Sequence, residues 1–468
     1  MIRLLSGHLL AWLIVVLLGE VAFLPCKASA ELDAGTTYYM SPIGNDSNDG
    51  LSPETAWLTP NHAVKCGDVI IAVAGSYVST NLNPGMWGTV SNCPSANGIW
   101  FATLKCEGPH VSSCSVFSTT DSIRIDKPNW AVVGWLASSK SGSCFAATPS
   151  KAENIHHIAF INVIANGCAN NGVNFYPYPA NRKYSVDYFA VVGAIVNNAS
   201  FGRSLCFSGL SLYEPTAHDN TPGTHLYVAG NFSFNNKNPD EGCFNGANSD
   251  GNGLILDDFN HDQHTKGIAY NQQTVVENNI LVGNGAAGIN SFRISAGKVV
   301  IRNNTTWGNY TSKVHEGTYK GEMLTNLVSA PTIITDNIFQ SDKKTQNGSS
   351  VFAAYVGLSS RKVVIKGNYI LGVGGNNVRQ NKSPTFSYGR NIIADPLFAK
   401  PRTPEEPNCH SATTTQCMAE LISNFTPGAK GAAGKGYQPP RACRPNELYP
   451  NWLKGVVPDG IITKPCHM

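Results

Sequence analysis

Val275-Val276-Glu277-Asn278-Asn279 returns 25 residues later as Val300-Ile301-Arg302-Asn303-Asn304. Each copy is a β-branched run ending in paired asparagines. Weaker copies end at Asn231, Asn337 and Asn368, so the turns at 279, 304, 337 and 368 are separated by 25, 33 and 31 residues. Between them stand glycines followed by alternating apolar residues: Gly172-Val173-Asn174-Phe175, Gly209-Leu210-Ser211-Leu212, Gly253-Leu254-Ile255-Leu256 and Gly288-Ile289. β-Branched runs suit strands, and asparagine tolerates the left-handed backbone of a tight turn. Irregular repeats of this length, made of strands and turns, predict a solenoid in which residues distant in sequence stack in columns.

Composition agrees. Only 14% of the 468 residues are charged, which suits many short strands better than long helices. The first thirty residues read as a Sec signal peptide: Arg3, a mainly apolar run from Leu9 to Leu24, then Ala28-Ser29-Ala30 before Glu31. A retained membrane anchor is the alternative. No later segment is long and apolar enough to span a bilayer. Twelve cysteines follow position 30, an even number that predicts disulfides in an exported, secreted or periplasmic, protein. None lies between 244 and 408, where the repeat is clearest, so disulfides are expected at the ends and in the early loops. The chain after residue 30 carries 32 basic and 30 acidic residues with no basic run, so nothing points to a nucleic-acid partner.

Three regions result: the signal peptide at 1–30, a solenoid over 31–398 with its entry module, and a Cys- and Pro-bearing cap or tail over 399–468. Gly44-Asn45-Asp46-Ser47-Asn48-Asp49-Gly50 in the entry module reads either as an ordinary turn cluster or as a calcium loop.

Several of these phrases resemble secreted right-handed parallel β-helix proteins of the pectate-lyase-like superfamily. The match lies in Tyr39 through Pro53 with Gly67-Asp68-Val69-Ile70 and Gly75-Ser76-Tyr77, in the Asn-Asn coils, and in Asp395-Pro396-Leu397-Phe398 with Phe425-Thr426-Pro427-Gly428-Ala429. The resemblance implies a right-handed parallel β-helix, closed here by a Cys-containing C-terminal cap. Asp250-Gly251-Asn252-Gly253-Leu254-Ile255-Leu256 is similar to the Gly-Asp-Gly-Asn-Gly-Phe-Lys-Leu of family 9 polysaccharide lyases, which are calcium-dependent pectate lyases. The lysine there is the catalytic base, and Ile255 replaces it here. The family's Asp-Asp-Gly-Leu-Asp-Leu corresponds to Phe207-Ser208-Gly209-Leu210-Ser211-Leu212, without its carboxylates. The scaffold transfers and the family's site does not.

Chemistry must then come from this chain's own columns. Aligning Gly209, Gly253 and Gly288 puts Glu214, Asp258 and Arg293 in one column and Tyr213, Asp257 and Phe292 in the next, with rungs roughly 4.8 Å apart. Close carboxylates raise one another's pKa and a neighbouring arginine lowers it. Two mechanisms fit. One is β-elimination on an acidic, uronate-containing polysaccharide, with Ca²⁺ on Asp250, Asp257, Asp258 and Asp262 and with Arg293 or Lys298 as base or clamp. The other is inverting glycoside hydrolysis by paired carboxylates. Tyr213, Phe292, His261, His264 and Trp307 are the expected sugar contacts. Ion pairing on a plain polar loop, or a non-catalytic glycan-binding β-helix, would account for the same residues. His156 and His157, as strand neighbours, are expected on opposite faces. The protein is expected to be a monomer acting on a polysaccharide.

Overall fold

The computed structural model describes residues 35–108, 113–149, 153–177, 184–202, 206–239, 250–263, 267–312, 320–341, 351–357, 360–380, 387–401, 414–428, 432, 434–437 and 450–457. Its strands build three long parallel sheets of 12, 11 and 9 strands. The chain visits them in turn. Lys298–Arg302 lies in the 12-stranded sheet, Thr305–Trp307 in the 11-stranded sheet and Gly321–Val328 in the 9-stranded sheet, each paired with its counterpart one coil away. This is a parallel β-helix. Alternate side chains fill its interior, where Phe145, Phe160, Phe189 and Phe175 pack in succession with ring centroids 4.4–5.9 Å apart.

The two halves of the repeated phrase have separate jobs. The residue before each ladder asparagine turns the corner in the left-handed region: Gly230 (φ 66°), Asn278 (58°), Asn303 (53°), Asp336 (58°) and Gly367 (68°). The next residue points inward and joins a ladder. Asn231, Asn279, Asn304, Asn337 and Asn368 each donate from Nδ2 to the Oδ1 of the next, ending on Asn391, at 2.8–3.0 Å. Every amide also serves backbone groups that the corner leaves without strand partners. A second ladder runs Asn236, Asn284, Asn309 and ends on the buried carboxylate of Glu322. The glycine phrase exists because of this second ladder. A Cβ on Gly209 would lie 2.5 Å from Asn236 Nδ2, and one on Gly253 would lie 2.8 Å from Asn284 Nδ2.

Disulfides Cys66–Cys93, Cys106–Cys114 and Cys144–Cys168 staple the early coils, and such bonds fit an exported protein. Cys409, Cys443 and Cys466 lie outside the described residues. In the entry loop, Asp46 accepts from Leu58 N, Thr59 N and Thr59 Oγ1, while Asp49 accepts from Leu51 N and Thr55 Oγ1. Its carboxylates are turned onto their own backbone, as in a turn cluster.

Of the expected C-terminal cap or tail, only parts lie among the described residues. These lie along the flanks. Helix α1 (Thr414–Ser423) and Phe425 cover the outer surface of the 11-stranded sheet, burying Phe232, Phe234, Ile280 and Ile338. Residues 450–457 cover the 12-stranded sheet, where Trp452 donates to Thr224 O at 2.8 Å. Both covered sheets carry apolar outward residues, such as Ala159, Ile161, Ala190 and Val192, which explains why the tail binds there. Among the described residues no tail segment covers the 9-stranded sheet. No described helix is long and apolar enough to cross a membrane.

Candidate functional site

The open sheet holds the column residues. Leu210, Leu254 and Ile289 pair in register, as do Ser211, Ile255 and Asn290, and then Tyr213, Asp257 and Phe292. Leu254 and Leu256 point into the core, whereas Ile255 and Asp257 face outward. Glu214, Asp258 and Arg293 follow at the strand ends, all with left-handed backbones (φ 46°, 48° and 54°). The shared kink redirects each side chain at the same height. Beside it lies a groove of about 660 Å³ lined by residues that include Asp121, Asn174, Tyr176, Ser211, Tyr213, Glu214, Asp250, Ile255 and Asp257. That volume suits a few sugar rings.

The carboxyl groups of Glu214, Asp250, Asp257, Asp258 and Asp262 act on one another in and around this groove. Burial, with the charges of Asp250 and Asp258, holds Asp257 well above the ordinary carboxylate range. Gln263 Nε2 donates to its Oδ1 at 2.9 Å. Asp258 is fully buried and is pushed up to about 7, first by burial and then by its hydrogen bond to Glu214. It also accepts from the backbone of Asp262 (3.1 Å) and Gln263 (2.8 Å). Tyr213 Oη donates to Glu214 Oε1 at 3.1 Å, and burial followed by the Glu214 charge raises the phenol. Although burial opposes it, hydrogen bonds from Asp258 and Arg293 keep Asp262 low, the guanidinium standing 2.6 Å away. Arg293 is thus tied to Asp262 at the rim. Burial and neighbouring carboxylates therefore favour the protonated forms of Asp257 and Asp258, and Tyr213 Oη and Asp258 hydrogen-bond to Glu214.

Asp258 carries a stability consequence. Its folded pKa is raised above the ordinary value, so its contribution is complete at acid pH and is lost as pH rises through about 7. Stability should therefore fall as pH rises from the ordinary carboxylate range towards about 7. Asp258→Asn should flatten the fall of stability over that interval, read by urea denaturation at each pH. Parallel pH profiles for the two proteins would remove the raised pKa from the argument.

Several expected site residues lie elsewhere. Lys298 is exposed at the start of a strand in the 12-stranded sheet, paired with Gln273, because the chain has already left the open sheet. Trp307 belongs to the 11-stranded sheet and packs on Phe425 at 6.0 Å. His261 is buried, with Nε2 2.6 Å from Pro215 O, and serves the loop. Phe292 is half-buried under its own neighbour Arg293, 5.0 Å from the ring centroid. His264 lies outside the described residues. The expected calcium ligands do not form a cage: no three described His, Cys, Asp or Glu side chains come together as a metal-binding group. Asp258 is occupied by backbone N–H groups and Glu214, and Asp262 by Arg293, so this donor set suits protons better than a hard dication.

Two things escaped the sequence. Tyr176, Asn174 and Asn171 reach the groove from earlier coils, and only the register of Asn174 with Ser211 would have shown it. His156 and His157 are the second. His157 takes a left-handed backbone (φ 54°), which breaks strand alternation and brings the two Nδ1 atoms to 2.9 Å. Its ring stacks between Trp100 and Tyr188, and Tyr188 stacks on His225, which pairs with the buried Asp187 at 2.9 Å. Trp452 of the tail closes over this column.

The chain is therefore a parallel β-helix whose 9-stranded sheet carries an acidic groove and, among the described residues, is not covered by the tail. No family model matches it, and no curated protein matches it. Solved structures similar to it include pectate lyase Pel9A (15% identity, 76% of each chain, TM-score 0.34). A rhamnogalacturonan lyase is similar over 86% of this chain and 99% of its own (13% identity, TM-score 0.42). The A-module of mannuronan C-5 epimerase AlgE6 from Azotobacter vinelandii is similar over 70% and 91% (11% identity, TM-score 0.36).

Proposed function

We propose that the groove is the active site of an exported carbohydrate-active enzyme that cleaves glycosidic bonds by hydrolysis. What supports this most is that Asp257 and Glu214 line one groove in unlike surroundings: burial and the charges of Asp250 and Asp258 hold Asp257 well above the ordinary carboxylate range, while Glu214 accepts from Tyr213 Oη. Two carboxyl groups whose environments differ are the requirement for acid–base glycoside hydrolysis. Asp257 donates its proton to the glycosidic oxygen as the bond to the anomeric carbon breaks. Glu214, as carboxylate, takes a proton from the water that adds there. Tyr176 and Tyr213 offer faces for sugar rings, and Asn171 and Asn174 offer amides for hydroxyls.

β-Elimination on a uronate polysaccharide, the first expectation from the sequence, has less support. It needs a cation at the uronate carboxylate, and the described lining carries four carboxylates and no lysine or arginine. Calcium would have to bring that charge, and the donor set does not favour it. The test is a turnover screen over neutral and acidic plant, algal and bacterial glycans. New reducing ends without the ultraviolet absorbance of an unsaturated uronate are expected. That absorbance, abolished by a chelator, would overturn hydrolysis in favour of the lyase. Binding with neither product would leave a glycan-binding module.

A further inference from the structure

The open sheet continues beyond the groove towards the C-terminal end of the solenoid. The outward column that contains Ile255 runs on through Asn290, Leu324 and Tyr355 to Arg379, in unbroken register. Four rungs at about 4.8 Å place Arg379 roughly 19 Å from Ile255 along the helix axis. Its guanidinium carbon sits 5.4 Å from the ring centroid of Phe352 and 5.8 Å from that of Tyr355. Tyr355 is buried, Phe352 half-buried and Arg379 exposed.

Arg379 differs from Arg124 and Arg293, the arginines on earlier strands of the same sheet, which are each paired with a carboxylate. Among the described residues no carboxylate pairs with Arg379, and the two rings hold its plane without consuming its N–H donors. A flat, preorientated and unpaired guanidinium is a fork for a carboxylate or sulfate. The intervening Asn290 and Leu324 make a shallow floor without charge.

We propose that Arg379, on its Phe352–Tyr355 shelf, is a distal subsite for an anionic sugar of a linear glycan laid along the open sheet. The glycan presents an uncharged sugar to the acidic groove and a carboxylate or sulfate several rings away. This rests on the groove being a glycan site and adds the charge pattern of the substrate.

Binding to oligosaccharides of hyaluronan, glucuronoxylan and partly methyl-esterified galacturonan, in which uncharged sugars stand beside anionic ones, with fully methyl-esterified oligogalacturonate as the uncharged control, tests it by fluorescence titration. Wild-type protein should bind at least one anionic probe, with affinity falling as salt is raised. Arg379→Gln should weaken that probe at least about 10-fold, the lower end for a charge-assisted hydrogen bond. Binding of the uncharged control should be unchanged, and so should the melting temperature. Equal binding by wild type and variant, or no anionic probe bound by wild type, overturns the subsite. A variant that only self-associates more would make Arg379 an edge-strand guard, which also overturns it. The titrations need no turnover, so a groove that fails to cleave any glycan and a shelf that fails to bind are separate results.

Discussion

Asp257→Asn should abolish glycan cleavage, lowering the rate by about 10³-fold while leaving the fold intact. General acid catalysis contributes roughly 10²–10⁴-fold, and an amide cannot donate a proton to the leaving oxygen. Asp257 faces outward from the strand and is held by Gln263 Nε2. Asparagine keeps that shape, so circular dichroism and the melting temperature should not change. Glu214→Gln should have a comparable effect. Asp258→Asn should be milder and should move the pH profile, because Asp258 acts on the substrate only through Glu214. Release of reducing ends from the substrate found by the screen reads all three. Full activity in Asp257→Asn would remove this carboxyl from the mechanism.

Asn304→Ala should produce the largest loss of stability. The buried Asn304 side chain accepts from Asn279 N (3.0 Å) and Asn279 Nδ2 (2.8 Å). It donates to Val276 O, Arg302 O and Asn337 Oδ1, each at 3.0 Å. Alanine leaves donors and acceptors of two adjacent coils buried without partners. At about 1–3 kcal/mol for each such group, the cost is on the order of 3–6 kcal/mol. Asn303→Gly is the control. Position 303 needs a left-handed backbone (φ 53°), which glycine adopts freely, so it should change stability by less than about 1 kcal/mol. Urea denaturation compares them. Equal effects would mean that the turn, and not the ladder, holds the coils.

Much of the site's geometry was legible because a solenoid converts sequence alignment into spatial alignment. Gly209, Gly253 and Gly288 set the register, and the pairing of Tyr213 with Asp257 and of Asp257 with Phe292 follows it without a gap. The same logic failed where the period breaks. Lys298 is five residues from Arg293 but begins the next coil's first strand, on another sheet. His157 departs from strand alternation because its backbone is left-handed, and nothing in an Ile-His-His-Ile run announces that.

The residues alone determined the coil, because β-branched strands, left-handed corners and inward asparagines are local requirements that each repeat satisfies by itself. They also determined which residues share a height on that coil. Only the tertiary structure decided which faces the described tail covers. The tail binds the 11- and 12-stranded sheets through apolar contacts made across more than a hundred residues of sequence, as when Phe425 packs on Phe232. Among the described residues, the tail leaves the 9-stranded sheet and its polar groove uncovered. Which carboxyl holds a proton was likewise beyond the sequence, since that depends on the burial and neighbours that packing imposes on Asp257 and Asp258.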